Sequence, residues 1–351
     1  MNINIIDDII VKVIAEIHRN TAPIGLFHGD MGVCLALYMS NKRAPSYEKE
    51  KCADELLDHV VENIKFVEDP SFESGLSGIG FAINYLHKEK CIEGDIDDIL
   101  YQIDASVYRH LNNFEAKISP HMNGLIGYFI YIVERLNNPY HNRNTFLHEL
   151  HVSLFRLIVN KLYSYFPKEL RKLNEDIFPT LLWDFPLLFF YMGKAIGLNA
   201  YNAKIVNMMK TLKFYICTII PHYDLNKMLI ANSLSFLNTK LKDANMKKHI
   251  SLLYNAVDYN HIMDEIDRDM NGFYGGWCNA LINLTIAVRF IESESMKSMI
   301  IKQHHNICKY SEKCVEKMLN NNKIPIDLID GLSGLSLAYS ILPEMFHNDE
   351  I

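Results

Sequence analysis

Apolar residues along this chain fall into two kinds of run. The first has apolar positions three or four apart with charged residues between them. Ile6, Ile9, Ile10, Val13 and Ile17 show it, as do Ala53, Leu56, Leu57, Val60 and Ile64. Ile96, Ile99, Leu100, Ile103 and Val107 repeat it, followed by Ile205, Met208, Met209, Leu212 and Ile216. This spacing puts one apolar stripe on each helix and leaves the opposite face to solvent. The second kind is apolar nearly all round, as in VCLALY, IGFAINYL, YFIYIV and LSLAYSIL. A helix of that composition has no face for water and is predicted to be buried. No alternating run of useful strand length occurs, so the chain reads as all-α.

The buried helices share a punctuation mark. His28-Gly-Asp-Met-Gly32, Ser74-Gly-Leu-Ser-Gly78, Asn123-Gly-Leu-Ile-Gly127 and Asp330-Gly-Leu-Ser-Gly334 each precede one. A looser copy, Tyr274-Gly-Gly-Trp-Cys278, precedes NALINL, and two degenerate copies are read at Asp184-Phe-Pro-Leu-Leu188 and near Asn232. Clear neighbours lie about 45 to 60 residues apart, too far for ankyrin or tetratricopeptide arrays. Seven half-exposed and seven buried helices in alternation suit two concentric layers. We therefore expect residues 1–351 to form one α/α toroid of about seven helix pairs, with the GxxG steps opening the inner helices. Small residues there let neighbouring backbones approach, and the inner N-termini gather at one end of the ring. The residue before each GxxG is then expected to face a shared central opening.

Composition narrows the function. Hydrophobic residues make up 49% of the 351 residues, enough for a packed core. The formal net charge of −7 argues against nucleic-acid binding, which usually shows a broad basic surface. Asp7 and Asp8 break any secretory leader at the start, and the long uncharged stretch from Asn271 to Val288 is interrupted by polar residues and glycines. Neither suggests a membrane span. Seven cysteines without a CxxC pair (Cys34, Cys52, Cys91, Cys217, Cys278, Cys308, Cys314) point to a reducing cytoplasm and to thiols used as small core residues.

The segments GLFHGDMG, FESGLSGIGFAINYL, HMNGLIGYFIYIVERL and IDGLSGLSLAY resemble the lanthionine synthetase C-like (LanC) family, in order along nearly the whole chain. The resemblance implies an α/α toroid. In active members it also implies a zinc ion that activates a peptide cysteine thiol, which adds to a dehydroalanine or dehydrobutyrine to form a thioether ring. The family's zinc ligands are a Cys from a WCYG turn and a Cys-His pair from a CHG turn, with one position left open. In both turns the Cys lies two residues before the first glycine. Here those places hold Phe27, Glu73, Met122, Phe273 and Ile329, with Trp183 in the fourth copy, and none is Cys. His28 matches the His of an H-G-x-x-G turn but follows Phe27 in the first repeat. The zinc ligands therefore transfer to no position: no cofactor is expected from the residues, and zinc stays only as what the resemblance implies.

Candidate site residues follow from the expected opening. His28, Asp30, Ser74, His121, Asn123, Trp183, Asp184, Tyr274, Trp277 and Asp330 are candidate cavity-lining or peptide-contacting side chains. Of these, His28, Asp184 and Asp330 are the candidates for acid/base work, each set against a plain helix-capping role. Cys278 is the candidate metal ligand, set against a buried inert thiol. His148 and His151, three apart on an outer helix, and His304-His305 are read as surface residues, and Tyr128, Phe129, Tyr131, Phe189, Phe190 and Tyr191 as core.

Three functions compete. The first is a zinc-free scaffold in lanthipeptide-type peptide modification, partnered by a peptide substrate or a peptide-maturation enzyme. The second is a zinc-dependent thioether cyclase with non-standard ligands. The third is a glycan-processing α/α-toroid enzyme using Asp184 and Asp330, which rests on fold analogy alone.

Overall fold

The computed structural model describes residues 3–16, 23–113, 117–140, 145–169, 177–266, 276–319, 325–329 and 331–341. Among these residues the regular structure is helical, in alternating pairs. In chain order the pairs begin with α1 (Ile3–Glu16) and α2 (Asp30–Arg43), α3 (Tyr47–Asn63) and α4 (Leu76–Lys88), and α5 (Ile96–Asn112) and α6 (Leu125–Asn137). Next come α7 (Thr145–Glu169) and α8 (Asp184–Ile196), and α9 (Asn202–Ile216) and α10 (Asp224–Leu241). The last are α11 (Ala244–Asn255) and α12 (Gly276–Phe290), then α13 (Glu294–Leu319) and α14 (Leu332–Ile341). Each even-numbered helix packs on the next, and α14 returns to α2, so the even helices close a ring. The odd helices pack outside it. This is the expected toroid of seven pairs.

The two kinds of apolar run separate into the two layers. Every residue from Leu125 to Leu136 of α6 is buried, as is Met31–Ser40 of α2. By contrast α9 buries only Ile205, Met208, Met209, Leu212 and Ile216, one stripe of its surface.

Glycine makes the inner N-termini possible. Each GxxG step follows a turn that folds back over the first turn of its helix. The amides of Asp30, Leu76 and Leu332 donate to the carbonyls of Pro23 (2.9 Å), Asp69 (2.8 Å) and Pro325 (3.0 Å). This satisfies a donor that a helix start otherwise leaves unpaired. A Cβ on the first glycine would sit 2.5 Å from Pro23 O at Gly29 and 2.3 Å from Asp69 O at Gly75. On the second glycine it would lie 2.1 Å from Leu26 O at Gly32 and 1.8 Å from Phe72 O at Gly78. The motif is thus a packing device for the turn.

Two copies depart from the expected register. The fifth inner helix starts at Asp224, so Asn232 lies in its middle and not at its start. There Asn232 Nδ2 donates to Asn283 Oδ1 of α12 (2.9 Å), and Tyr254 of α11 donates to Asn232 Oδ1 (2.8 Å). The fourth inner helix has Trp183 as its N-cap, and Asp184 is the first helical residue. Neither copy keeps the two glycines; the copy read at Asp184 still falls at the start of α8, whereas the one near Asn232 misses the start of α10 at Asp224.

Buried polar groups tie the layers together. Asp7 of α1 accepts from Lys49 Nζ of α3 (3.2 Å), from Ser336 Oγ of α14 (2.6 Å) and from Ser40 of α2, latching the first helix to the last. Arg135 of α6 donates to Asp104 (2.8 Å) and Asp97 (3.0 Å) of α5, and His151 of α7 lies 3.1 Å from Asp104. His151 is therefore buried inside an ion-pair network, contrary to the surface role expected of it, because α7 turns that face inward. His304 also departs from a surface role: burial, with His305 beside it, lowers its pKa to about 4.

Burial alone would raise the Asp104 carboxyl, but His151 and Arg135 more than offset it and hold its pKa well below the usual range. As pH falls, the unfolded chain therefore takes up this proton first. The Asp104 contribution is complete above about pH 4 and is lost progressively below it. Asp104→Asn should cost about 3–5 kcal/mol, because Arg135 is left buried with its main partner neutralised. Urea unfolding of wild type and variant at pH 7 and pH 3 checks both, the difference between them shrinking at the lower pH. Gly78→Ala should cost about 1–3 kcal/mol through the clash with Phe72 O, read in the same titration.

Candidate functional site

The turns that open the inner helices touch one another in series around one end of the ring. Leu328 N donates to Phe27 O (3.1 Å), and Phe27 N donates to Glu73 O (3.0 Å). Glu73 N then donates to Asn123 Oδ1 (3.0 Å). Met122 N donates to Asp184 Oδ1 (3.2 Å), which carries the chain of contacts to α8. Further round, Glu265 caps α10, its two carboxylate oxygens accepting from Asp224 N (2.7 Å) and Leu225 N (2.9 Å). Neighbouring backbones approach closely: a Cβ on Gly25 would lie 2.7 Å from Ser74 Cα. The belt fixes the rim.

Inside the belt lies a half-open cavity of about 230 Å³ walled by α2, α4, α6, α8 and α14 and by the turns before them. Its lining is apolar. Leu26, Phe72, Met122 and Leu328 enter from the turns, and Leu35 and Tyr191 line it from α2 and α8. The turn residue that reaches the axis is therefore not the one before the GxxG step, as expected. In the first, second and last copies it is the residue three before the first glycine. The turn doubles back, which sends that side chain inward and the later one outward.

The candidate residues divide accordingly. His28, Ser74, His121 and Asn123 are exposed on the rim. His28 Nδ1 lies 3.6 Å from Asp327 Oδ2, and the N-cap of α2 is Gly29. His121 Nδ1 lies 2.6 Å from Asp184 Oδ2. Asp184 does not cap its own helix either; it ties α8 to the turn before α6. Burial raises the Asp184 pKa, and His121 and the Met122 amide pull it the other way. The Asp184 carboxylate thus fixes the orientation of the His121 ring through Nδ1. Asp30 departs from a cavity-lining role, since its carboxylate turns outward to His59 Nδ1 of α3 at 2.8 Å.

Trp183 and Trp277 are buried, 4% and 1% exposed, and Trp277 packs against Tyr339 with ring centroids 6.1 Å apart. Cys278 is fully buried in α12, and burial pushes its thiol pKa well up, so it is held as a neutral core thiol. Tyr274 and Asp330 lie outside the described residues, and with Asp330 goes the Asp184–Asp330 carboxylate pair.

A thiolate-held zinc does not fit this donor chemistry. Zinc of the kind the family uses needs deprotonated Cys and His nitrogen converging on one point. The turn side chains that line the cavity are Leu26, Phe72, Met122, Leu182 and Leu328, and Cys278 is sealed in the core. Among the described residues, no three His, Cys, Asp or Glu side chains converge as metal ligands would.

Sequence reasoning missed Glu265, Asp327 and the apolar lining. Only the last had a signal, the Leu or Phe repeated three residues before the glycine in GLFHG, SFESG and DLIDG. Asp184→Ala should lower stability by about 1–3 kcal/mol, because the Met122 amide loses its acceptor. Asp184→Asn keeps an acceptor oxygen and should lose less. Chemical denaturation of the two variants measures the difference.

The geometry agrees with what the chain is similar to. A solved structure titled nisin cyclase superposes with a TM-score of 0.67 over 96% of this chain and 93% of its own, at 14% sequence identity. That similarity establishes the shared toroid. No curated relative matches the chain. The model for "Lanthionine synthetase C-like protein" matches residues 4–213, more than half of the length. With the alternating helix pairs and glycine-opened inner ring in place, the chain belongs to the lanthionine synthetase C-like family.

Proposed function

We propose that this protein binds a peptide in its central cavity during lanthipeptide-type modification, without zinc, and acts as a binding partner of the maturation machinery. The observation that carries the reading is the apolar lining of the cavity at the end of the ring where the inner helices begin. A site for a thiol nucleophile needs soft or basic ligands there; Leu26, Phe72, Met122 and Leu328 instead offer a dry surface for an apolar side chain. About 230 Å³ suits one such side chain, since a smaller apolar cavity already holds benzene. The exposed rim of His28, His121, Asn123 and Glu73 supplies polar groups for the backbone on either side. Family membership supports the peptide as the class of ligand. Cys34, Cys52 and Cys278, used as buried core thiols, agree with a cytoplasmic setting.

Pull-down and calorimetry with the precursor peptide and maturation enzymes encoded at the same locus test the reading. Retention at micromolar concentration, unchanged by a chelator, is expected. Leu35→Trp fills the cavity and should weaken peptide binding about tenfold or more, the loss of one well-seated side chain. Stoichiometric zinc by elemental analysis, together with thioether formation from a dehydrated cysteine-bearing peptide above background, would sink the zinc-free reading and restore the cyclase.

A further inference from the structure

The net charge of −7 conceals a basic sector. Residues 201–250 contain eight lysines against two aspartates, with no arginine and no glutamate. This stretch is α9, α10, α11 and their connections. Half of the lysines are engaged. Lys204 sits over the Tyr163 ring at 4.1 Å, and Lys213 pairs with Asp243 at 2.6 Å. Lys227 pairs with Asp224 at 2.7 Å, and Lys247 with Glu292 at 3.2 Å. The two aspartates of the sector are thereby used up. Lys210, Lys240, Lys242 and Lys248 are exposed and meet no carboxylate among the described residues.

These charges flank exposed apolar groups. Phe214 is 75% exposed, Ile220 54%, Leu252 46% and Tyr215 41%. The pair between Lys213 of α9 and Asp243, the N-cap of α11, brings the end of α9 against the α10–α11 turn. Phe214 and Tyr215 follow Lys213 directly, and Lys242 precedes Asp243. Beyond α9, the backbone at Ile219 contacts His249 of α11, which sets Ile220 beside the α11 turn that carries Lys248 and Leu252. The aromatic, aliphatic and basic groups therefore form one patch on the outer wall.

We infer that this patch docks the protein on an anionic lipid surface. Lysines are compact charges suited to a diffuse anionic layer, whereas arginine forks favour paired carboxylates in a protein partner, and the sector has none. The apolar groups project outward, with Phe214 the most exposed, as side chains do that sink into the boundary between headgroups and acyl chains. Protein hot spots instead seat in pockets. Contact is peripheral: no helix among the described residues is long and apolar enough to cross a membrane. This surface is separate from the central cavity and does not depend on what occupies it.

Sedimentation of the full chain with vesicles tests the inference. Binding to phosphatidylcholine vesicles containing phosphatidylglycerol is expected, with little binding to phosphatidylcholine alone and release in high salt. The variant K210Q/K240Q/K242Q/K248Q should bind the anionic vesicles about tenfold more weakly or worse, with an unchanged circular dichroism spectrum. F214S/Y215S should weaken binding at fixed charge, whereas K51Q/K65Q, on the far side of the ring, should not. Equal binding to neutral and anionic vesicles overturns the inference. So does binding to polyglutamate without binding to anionic vesicles, which would assign the patch to an acidic protein partner.

Discussion

The close approach of each GxxG turn to the helix it opens is the constraint on which the rest of this structure depends. In the first three copies two positions must lack a Cβ, one under the carbonyl that begins the turn and one under the carbonyl of the turn's inward residue. With both absent, the turn closes on the helix and supplies an acceptor to an otherwise unpaired amide. The turns are then compact enough to touch each other. The hydrogen bonds from Leu328 to Phe27 and from Phe27 to Glu73 follow from that compactness. So does the cavity, since the doubled-back turn sends Leu26, Phe72 and Leu328 to the axis.

Packing alone would leave similar repeats free to pair in the wrong order, and the buried polar groups oppose this. Asp7 finds Ser40, Lys49 and Ser336 only when the first helix meets the last. Asn84 and Asn138 join α4 to α6, and Asn232 and Asn283 join α10 to α12. The Arg135–Asp104–His151 cluster does the same for α5, α6 and α7. A misplaced pair would strand these groups without partners, at a cost of several kcal/mol each for the charged ones.

The two surfaces with functional character are built from different physics. The cavity is apolar and bordered by a rim of hydrogen-bonded turns, so a side chain seated there would exchange water for apolar contacts on its inner side. The α9–α11 wall is open, and its attraction acts through uncompensated charge and protruding rings, so salt governs it. One ring can carry both because the inner helices shape the axis while the outer helices set the wall.

Much of this architecture was legible in the residues themselves. The 3.6-residue apolar stripes and the all-apolar runs separated outer from inner helices, because burial on one face or on every face leaves a different pattern. GxxG marked the inner starts wherever both glycines survive. At α8 and α10 they do not; there Trp183 takes the N-cap, and Glu265, 41 residues beyond Asp224, caps α10. Such partners are far apart in sequence and no local rule joins them. The same holds for His151, which the helical pattern assigned to the surface and Asp104 draws inside. Which turn residue faces the axis and which carboxylate ties one turn to the next depend on how the backbone doubles back. That geometry exists only once the ring has closed, whereas solvent exposure along a helix is already written in the order of its residues.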